Sequence, residues 1–275
     1  MKTNALGKLF EIAGYIHPKS HLVLGLDFDG TLVPIQDSPS TVFLEKKMRT
    51  MLASLVKRKN TTIAIISGRS LDDLIKKVSL NDVIYAGNHG LNIRGPGLRK
   101  IDIKALQKQR TVGKALALCK NLTRKFSGIF IEDKTLTFAI HYRNLTLKNI
   151  HELHFYLKAM ASELGDLVIK TGKNVFEIYP AVETNKYTAF SWIIRQINNA
   201  PNIGKIYLGD DCTDEDVFRS LKDGIGIKIG QAENSGSNYF LKDSIEVKEF
   251  LTWLSLHDFK FLPIAEKFQG TYFQN

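Results

Sequence analysis

The sequence predicts an α/β fold, a parallel-sheet core interrupted by an inserted α+β domain built from two helix-strand-strand units. Three observations predict it. In the N-terminal third, apolar runs ending in acids, hydroxyls or glycines alternate with amphipathic helical segments. From about Ile103 to Val182 the pattern changes to helix, strand, strand, twice over, which suits an antiparallel sheet backed by helices on one face. The strand–helix alternation then resumes at Lys186. The expected division is a core over 1–102, an insert over 103–182 and the rest of the core over 183–275.

Taken in order, the N-terminal MKTNALGKLFEIAGYIHPKSH has a helical pattern without an uninterrupted apolar stretch or cleavage site, so it reads as a docking helix and not as a signal peptide. Leu22–Leu32, LVLGLDFDGTL, reads as a strand buried on both faces that ends in Asp27, Asp29 and a Gly30-Thr31 turn. A helix follows over Leu44 to Lys57, a strand over Thr62 to Ile66, and a helix over Leu71 to Val78, opened by Ser70 with Asp72 and Asp73 in its first turn. Val83 to Ala86 is the next strand. Strand, helix, strand in this order implies parallel pairing with right-handed crossovers. In the insert, a helix over Ala105 to Phe126 precedes strands over Ile129 to Glu132 and Leu136 to Tyr142. A second helix, Leu147 to Leu164, precedes strands over Leu167 to Lys170 and Val175 to Tyr179, turned by Thr171-Gly172-Lys173-Asn174. A helix over Lys186 to Ile197 and strands over Ile206 to Leu208 and Gly224 to Ile229 complete the pattern. The spacing Gly224-x-Gly226-x-x-x-Gly230 does not match a dinucleotide fingerprint, so that stretch reads as a strand bordering the site.

With 275 residues, 44% hydrophobic and 24% charged, the chain has room for one large domain or a core plus an insert. No apolar run is long enough to span a bilayer, so no membrane partner is expected. The two cysteines, Cys119 and Cys212, lack metal-ligand spacing, which fits a reduced, cytoplasmic protein. A monomer is expected. The net charge of +10 attracts anions, but its densest clusters, Lys57-Arg58-Lys59 and Arg99 to Arg110, are mixed with apolar residues and form no nucleic-acid module.

Four polar clusters follow strands or open helices. In open α/β sheets, ligands bind at the carboxyl ends of the strands, so Asp27 and Asp29 either line a site or cap an Asx-type turn. Ser67-Gly68-Arg69 offers a hydroxyl and backbone N–H groups at a helix start, which serves equally as a helix cap or an anion site. Lys186 alone reads as a solvated lysine before a helix. Gly209-Asp210-Asp211-Cys212-Thr213-Asp214-Glu215-Asp216 packs five acids into seven positions, a density that calls for a cation or a strong hydrogen-bond network, or marks an acidic helix N-terminus. A calcium loop is excluded by spacing, since it lacks a mid-loop glycine and a terminal glutamate.

In this order, Asp27-x-Asp29-Gly30-Thr31, Ser67, Lys186 and Gly209-Asp210-Asp211 resemble the four motifs of the haloacid dehalogenase-like (HAD) phosphatases, from Leu22 to about Gly230. The resemblance implies a Rossmann-like parallel-sheet HAD core with an inserted cap domain. It also implies phosphoryl transfer with Asp27 as nucleophile and Asp29 as acid and base, with Ser67 and Lys186 on phosphoryl oxygens. Mg²⁺ is the implied cofactor, held by Asp27, the carbonyl of Asp29 and Asp210, with Asp211 and Asp214 as further ligands or supports.

Within the insert and beside it, Glu132-x-Lys134, His141-Tyr142-Arg143, Glu177-x-x-Pro180 and Asn88-His89-Gly90 are similar to motifs of trehalose-6-phosphate phosphatases, as is GDDCTDEDVF at Gly209–Phe218. The implied substrate is a phosphorylated disaccharide, with Thr31, Arg69, Asn88, His89, Glu132, Lys134, His141, Arg143 and Glu177 as binding residues. Carboxylates suit vicinal hydroxyls, and cations suit sugar or phosphate oxygens. Tyr187 stands where that family commonly has glycine after the motif lysine. Another cap-bearing phosphatase, for sucrose phosphate or a glycosyl phosphoglycerate, is the nearest alternative. A non-catalytic sugar-phosphate sensor is less favoured, because Asp27, Asp29, Lys186 and Asp210 are all retained.

Overall fold

The computed structural model describes residues 2–36, 41–172, 174–197 and 200–257; Lys173, expected in a turn, lies outside them, as does the C-terminal end of the expected core. The elements run β1 (Thr3–Asn4), a 3-10 turn, α1 (Leu9–Ile16), β2 (His21–Leu26), α2 (Lys46–Val56), β3 (Thr61–Ile66) and α3 (Leu71–Val78). Next come β4 (Ile84–Gly87), β5 (Asn92–Gly95), β6 (Leu98–Ile101), α4 (Ile103–Gln107), α5 (Gln109–Lys120) and α6 (Leu122–Lys125). They are followed by β7 (Phe130–Asp133), β8 (Phe138–His141), α7 (Leu147–Leu164), β9 (Leu167–Gly172), β10 (Val175–Pro180) and α8 (Lys186–Gln196). The last are β11 (Ile203–Gly209), α9 (Glu215–Ser220), β12 (Ile225–Ile229), β13 (Tyr239–Leu241) and α10 (Ser244–Leu256). The chain forms two compact units, one of residues 1–64 with 190–275 and one of residues 65–189.

The first unit carries the mostly parallel main sheet, in the order β1-β13-β12-β11-β2-β3. Neighbours from β1 through β13, β12 and β11 to β2 all pair in parallel. β2 is buried along nearly its whole length, as its apolar run requires. Gly25 interrupts that run because a Cβ there would lie 2.5 Å from the Tyr207 ring and 2.7 Å from that of Phe190. Among the described residues no helix is long and apolar enough to cross a membrane.

The second unit contains an antiparallel three-stranded meander, β4-β5-β6, and a separate four-stranded antiparallel sheet in the order β7-β8-β10-β9. Register places Ile131, Ile140 and Phe176 in one row across β7, β8 and β10, packed into a core with Val112, Leu116, Leu153 and Leu157 of α5 and α7. The adjacent row, Glu132, Ala139, Glu177 and Lys170, is offset by one residue along each strand. It therefore occupies the opposite face, away from those helices. That alternation is how the sequence puts an apolar core on one side of the sheet and a charged row on the other.

Several expectations are corrected. The single helix expected over Ala105 to Phe126 begins earlier, at Ile103, where Asp102 accepts from Ala105 N–H at 2.9 Å. It is broken into α4, α5 and α6, with Lys108 at φ −89°, ψ 0°. The strand expected from Leu136 starts at Phe138. Lys134 N–H donates to Thr137 O and Leu136 N–H to Lys134 O, and Thr135 takes φ +72°, so these residues form the turn instead. The β5–β6 hairpin falls in a stretch where no strands were expected.

Candidate active site

In the first unit the site grows from the ends of two neighbouring parallel strands. Leu26 pairs with Leu208, and Asp27 N–H still donates to Leu208 O at 2.9 Å, so the chain leaves β2 and β11 side by side. The Asp27-to-Val33 turn then closes through Gly30 N–H to Val33 O and Leu32 N–H to Phe28 O. Gly30 takes φ +82°, and a Cβ there would lie 2.0 Å from Asp210 Oδ2, so both the turn and the approach of the Asp210 carboxylate require glycine.

Carboxylate oxygens of Asp27, Asp210 and Asp214 lie within 4.8 Å of one another. Asp27 is 4% exposed and Asp214 fully buried. Asp214 accepts from the Tyr207 hydroxyl at 2.8 Å and from Asp211 N–H at 3.0 Å. Three carboxylates so close, two of them withdrawn from water, repel one another unless a cation lies among them. The donors are hard oxygens only, which suits a Mg²⁺-type ion and not a soft one. Asp211 is exposed and outside the cluster; its Oδ1 accepts from Thr213 N–H, the Thr213 hydroxyl and Asp214 N–H, which folds the acidic loop. The side chain of Asp29 is also outside the cluster. Thr31 is buried, and among the described residues its hydroxyl has no hydrogen-bond partner.

In the second unit, the turn after β3 and the turn after β4 lock together. Ser67 N–H donates to Ala86 O at 2.9 Å, His89 N–H to Ser67 O at 2.9 Å and Asn88 N–H to Arg69 O at 2.7 Å. The Ser67 hydroxyl accepts from Arg69 N–H at 3.2 Å, and Arg69 reaches Asp73 at 2.8 Å. Ser70 caps α3, as its spacing predicts. Asn88 and His89 both have positive φ. A Cβ on Gly90 would lie 2.4 Å from that of Ala189, so this turn packs directly on the start of α8. α8 opens with a reciprocal cap, in which Thr188 N–H donates to Asn185 Oδ1 and Asn185 N–H to Thr188 Oγ1. Lys186, at the first position of that helix, is 1% exposed, so the solvated-lysine alternative fails.

Two of the insert residues, Lys134 and Glu177, reach the same turns. Lys134 donates to Gly68 O at 3.0 Å and to Glu177 Oε1 at 2.9 Å. Glu177 Oε2 accepts from the Tyr179 hydroxyl at 2.8 Å and lies 3.4 Å from His89 Nε2. His141 Nε2 stands 3.0 Å from Glu132 Oε2. Burial would raise the Glu177 carboxyl, but the charge and hydrogen bond of Lys134, with the His89 ring close by, outweigh it and hold it well below the usual carboxylate range. Burial likewise opposes ionisation of Glu132, and His141, Lys134 and Arg69 still bring it down. Lys134 is held above its ordinary value, against burial, by Glu177 and Glu132. Asn88 is engaged at both ends of its amide, donating to Lys134 O at 3.2 Å and accepting from Thr137 at 3.0 Å. Arg143 is exposed, two residues beyond the end of β8.

Sequence reasoning missed Tyr207, Tyr179, Thr137 and Lys228. Lys228 carries the clearest signal, as the lone charge in the apolar run Ile225–Ile229.

The trehalose-phosphatase family model matches residues 25–245. A probable trehalose-phosphate phosphatase 4 from Oryza sativa subsp. japonica is 32% identical over 257 residues, covering 90% of this chain and 69% of the relative. Trehalose-phosphate phosphatase B from Arabidopsis thaliana is 28% identical over 263 residues, covering 90% and 70%. Among solved structures, the C-terminal domain of a C. albicans trehalose-6-phosphate phosphatase superposes with a TM-score of 0.75 at 22% identity, covering 93% of this chain and 98% of that one. A HAD-like hydrolase from Bacteroides thetaiotaomicron shares the fold at a TM-score of 0.61 and 13% identity, covering 85% and 99%. With a family model spanning most of its length and the acidic triad of such a site at its strand ends, this chain belongs to the trehalose-phosphatase family of the HAD superfamily.

Proposed function

We propose that the chain hydrolyses trehalose 6-phosphate to trehalose and phosphate in a Mg²⁺-dependent reaction, as a cytoplasmic monomer acting on a small-molecule substrate. The observation that carries this reading is the Asp27/Asp210/Asp214 cluster at the ends of adjacent parallel strands, in a chain of this family. Asp27, Asp210, Asp214 and the Asp29 carbonyl would hold Mg²⁺, which would supply charge neutralisation between a carboxylate and a phosphate dianion.

The chain's own residues do the rest. An Asp27 carboxylate oxygen attacks phosphorus as the bond to the sugar oxygen breaks, giving an aspartyl-phosphate on Asp27. Asp29 gives its proton to the departing sugar oxygen. It then takes a proton from the water that attacks phosphorus, and phosphate leaves with Asp27 restored. Ser67 and Lys186 hold phosphoryl oxygens and offset their charge, with Thr31 and Arg69 in support.

The insert, 103–182, acts as the cap that selects the sugar. Glu132 and Glu177, ionised and in one row of the sheet, accept from sugar hydroxyls, while Lys134, His141 and Arg143 donate. His89 steadies Glu177. Asn88, with its amide engaged inside the protein, acts by holding the Lys134 turn.

Phosphate release from a panel of sugar phosphates, with and without Mg²⁺, tests this reading. Trehalose 6-phosphate is expected to be the best substrate and to need the metal. Equal or better turnover of sucrose phosphate, a glycosyl phosphoglycerate or glucose 6-phosphate would refute the substrate. No turnover of any of them would favour a sensor.

A further inference from the structure

β12 is buried at every position, yet its fourth residue is a lysine. An ammonium withdrawn from water without partners is costly, so its partners indicate what it does. Register sets Lys228 opposite Gly209, the residue that opens the acidic loop. Its amine donates to the main-chain carbonyls of Asp210 at 2.5 Å and Asp211 at 3.2 Å, and lies 4.0 Å from Glu215 Oε1. On the other side of the same residue, the Asp210 carboxylate lies so close to Gly30 that a Cβ there would overlap it. Asp210 is therefore held at its backbone by Lys228, while its side chain lies close against the glycine turn.

We propose that Lys228 is a positioning residue for the metal centre, fixing the main chain of the acidic loop so that the Asp210 carboxylate meets those of Asp27 and Asp214. The role rests on the metal-dependent reading above. It needs no contact between Lys228 and the substrate. A charged donor with several N–H groups is suited to bridging two carbonyls, and its positive charge offsets part of the five-acid loop. An apolar side chain of similar length fills the space and leaves both carbonyls without that donor, so the loop relaxes away from the geometry the ion needs.

The test is calorimetric titration of Mg²⁺ or Mn²⁺, with no substrate present, into wild type, Lys228→Met and Lys228→Arg. Lys228→Met is expected to weaken metal binding by about tenfold or more, while Lys228→Arg, which keeps the charge and can bridge both carbonyls, stays within about threefold of wild type. The phosphatase activity of Lys228→Met should recover as metal concentration rises, with KM for the sugar phosphate unchanged at saturating metal. If Lys228→Met does not fold, Lys228→Gln takes its place, with a loss of at least about threefold expected. Metal affinity in either neutral variant equal to or tighter than wild type would overturn the proposal, as would Lys228→Arg binding as weakly as Lys228→Met. A wild type that binds no metal would instead defeat the metal-dependent reading itself.

Discussion

Gly209→Ala perturbs the acidic cluster by a single methyl group. Gly209 ends β11, and a Cβ at that position would lie 2.2 Å from Asp214 Cγ and 2.5 Å from its Oδ2, where ordinary contact begins at 3.4 Å. The Asp214 side chain must therefore retreat by about 1 Å. It has little room to do so, being fully buried and fixed by the Tyr207 hydroxyl at 2.8 Å and by Asp211 N–H at 3.0 Å. A hydrogen bond to a charged group contributes about 1.5–3 kcal/mol, so losing or stretching these two costs about 2–4 kcal/mol. For a chain of this size that lowers Tm by roughly 5–15 °C. The same shift takes one of three carboxylates out of reach of the ion, and metal affinity should fall by at least about tenfold. Thermal unfolding and calorimetric metal titration measure both effects. A variant melting within about 2 °C of wild type and binding metal equally well would show that the Asp214 carboxylate is not held in place by this packing.

Glu132→Ala, which removes the carboxylate beside His141, should raise KM for trehalose 6-phosphate about tenfold while leaving a small generic phosphate ester within about twofold; equal losses on both would make Glu132 structural. Glu177→Gln should destabilise the protein by about 3 kcal/mol, because it leaves the buried Lys134 amine without its carboxylate. The pair also has a pH signature. Glu177 is depressed in the folded state, so its contribution is complete above the ordinary carboxylate pKa and is lost as pH falls through its lowered value. Lys134 is raised, so its contribution is complete below the ordinary lysine pKa and is lost only as pH rises past its raised value. Stability should therefore decline more steeply in acid for wild type than for Glu177→Gln, and identical acid slopes by chemical denaturation would contradict the assignment.

Much of the frame was legible because the signals are local. The apolar run at Leu22, the Ser70 cap with Asp72 and Asp73, and the periodicity over Leu147 to Leu164 each fix an element from its own residues, and α3 and α7 have the expected bounds. β5 and β6 were not legible. They are four residues each and rich in arginine and lysine, and they alternate too briefly to stand out from a loop. β1 and β13 pair across most of the chain length, which no local pattern reveals. At the site, the motifs named residues but not their surroundings. Nothing in the sequence said that Asn88 would be engaged at both ends, that Lys186 would be buried, or that Tyr207 would hold Asp214. Those facts arise from packing between segments far apart in the chain. Lys228 was visible as an oddity in GIGIKIG, and its role required the register of β12 against β11.

In the proposed reaction Asp27 takes the phosphoryl group. Acid-quenching the enzyme during turnover of trehalose 6-phosphate and mapping acid-stable, hydroxylamine-sensitive phosphate onto peptides tests that transfer. Label is expected on the peptide containing Leu22–Leu32, lost in Asp27→Asn together with turnover, while that variant still binds substrate. Turnover without label at Asp27, or an Asp27→Asn enzyme that still releases phosphate, would contradict it.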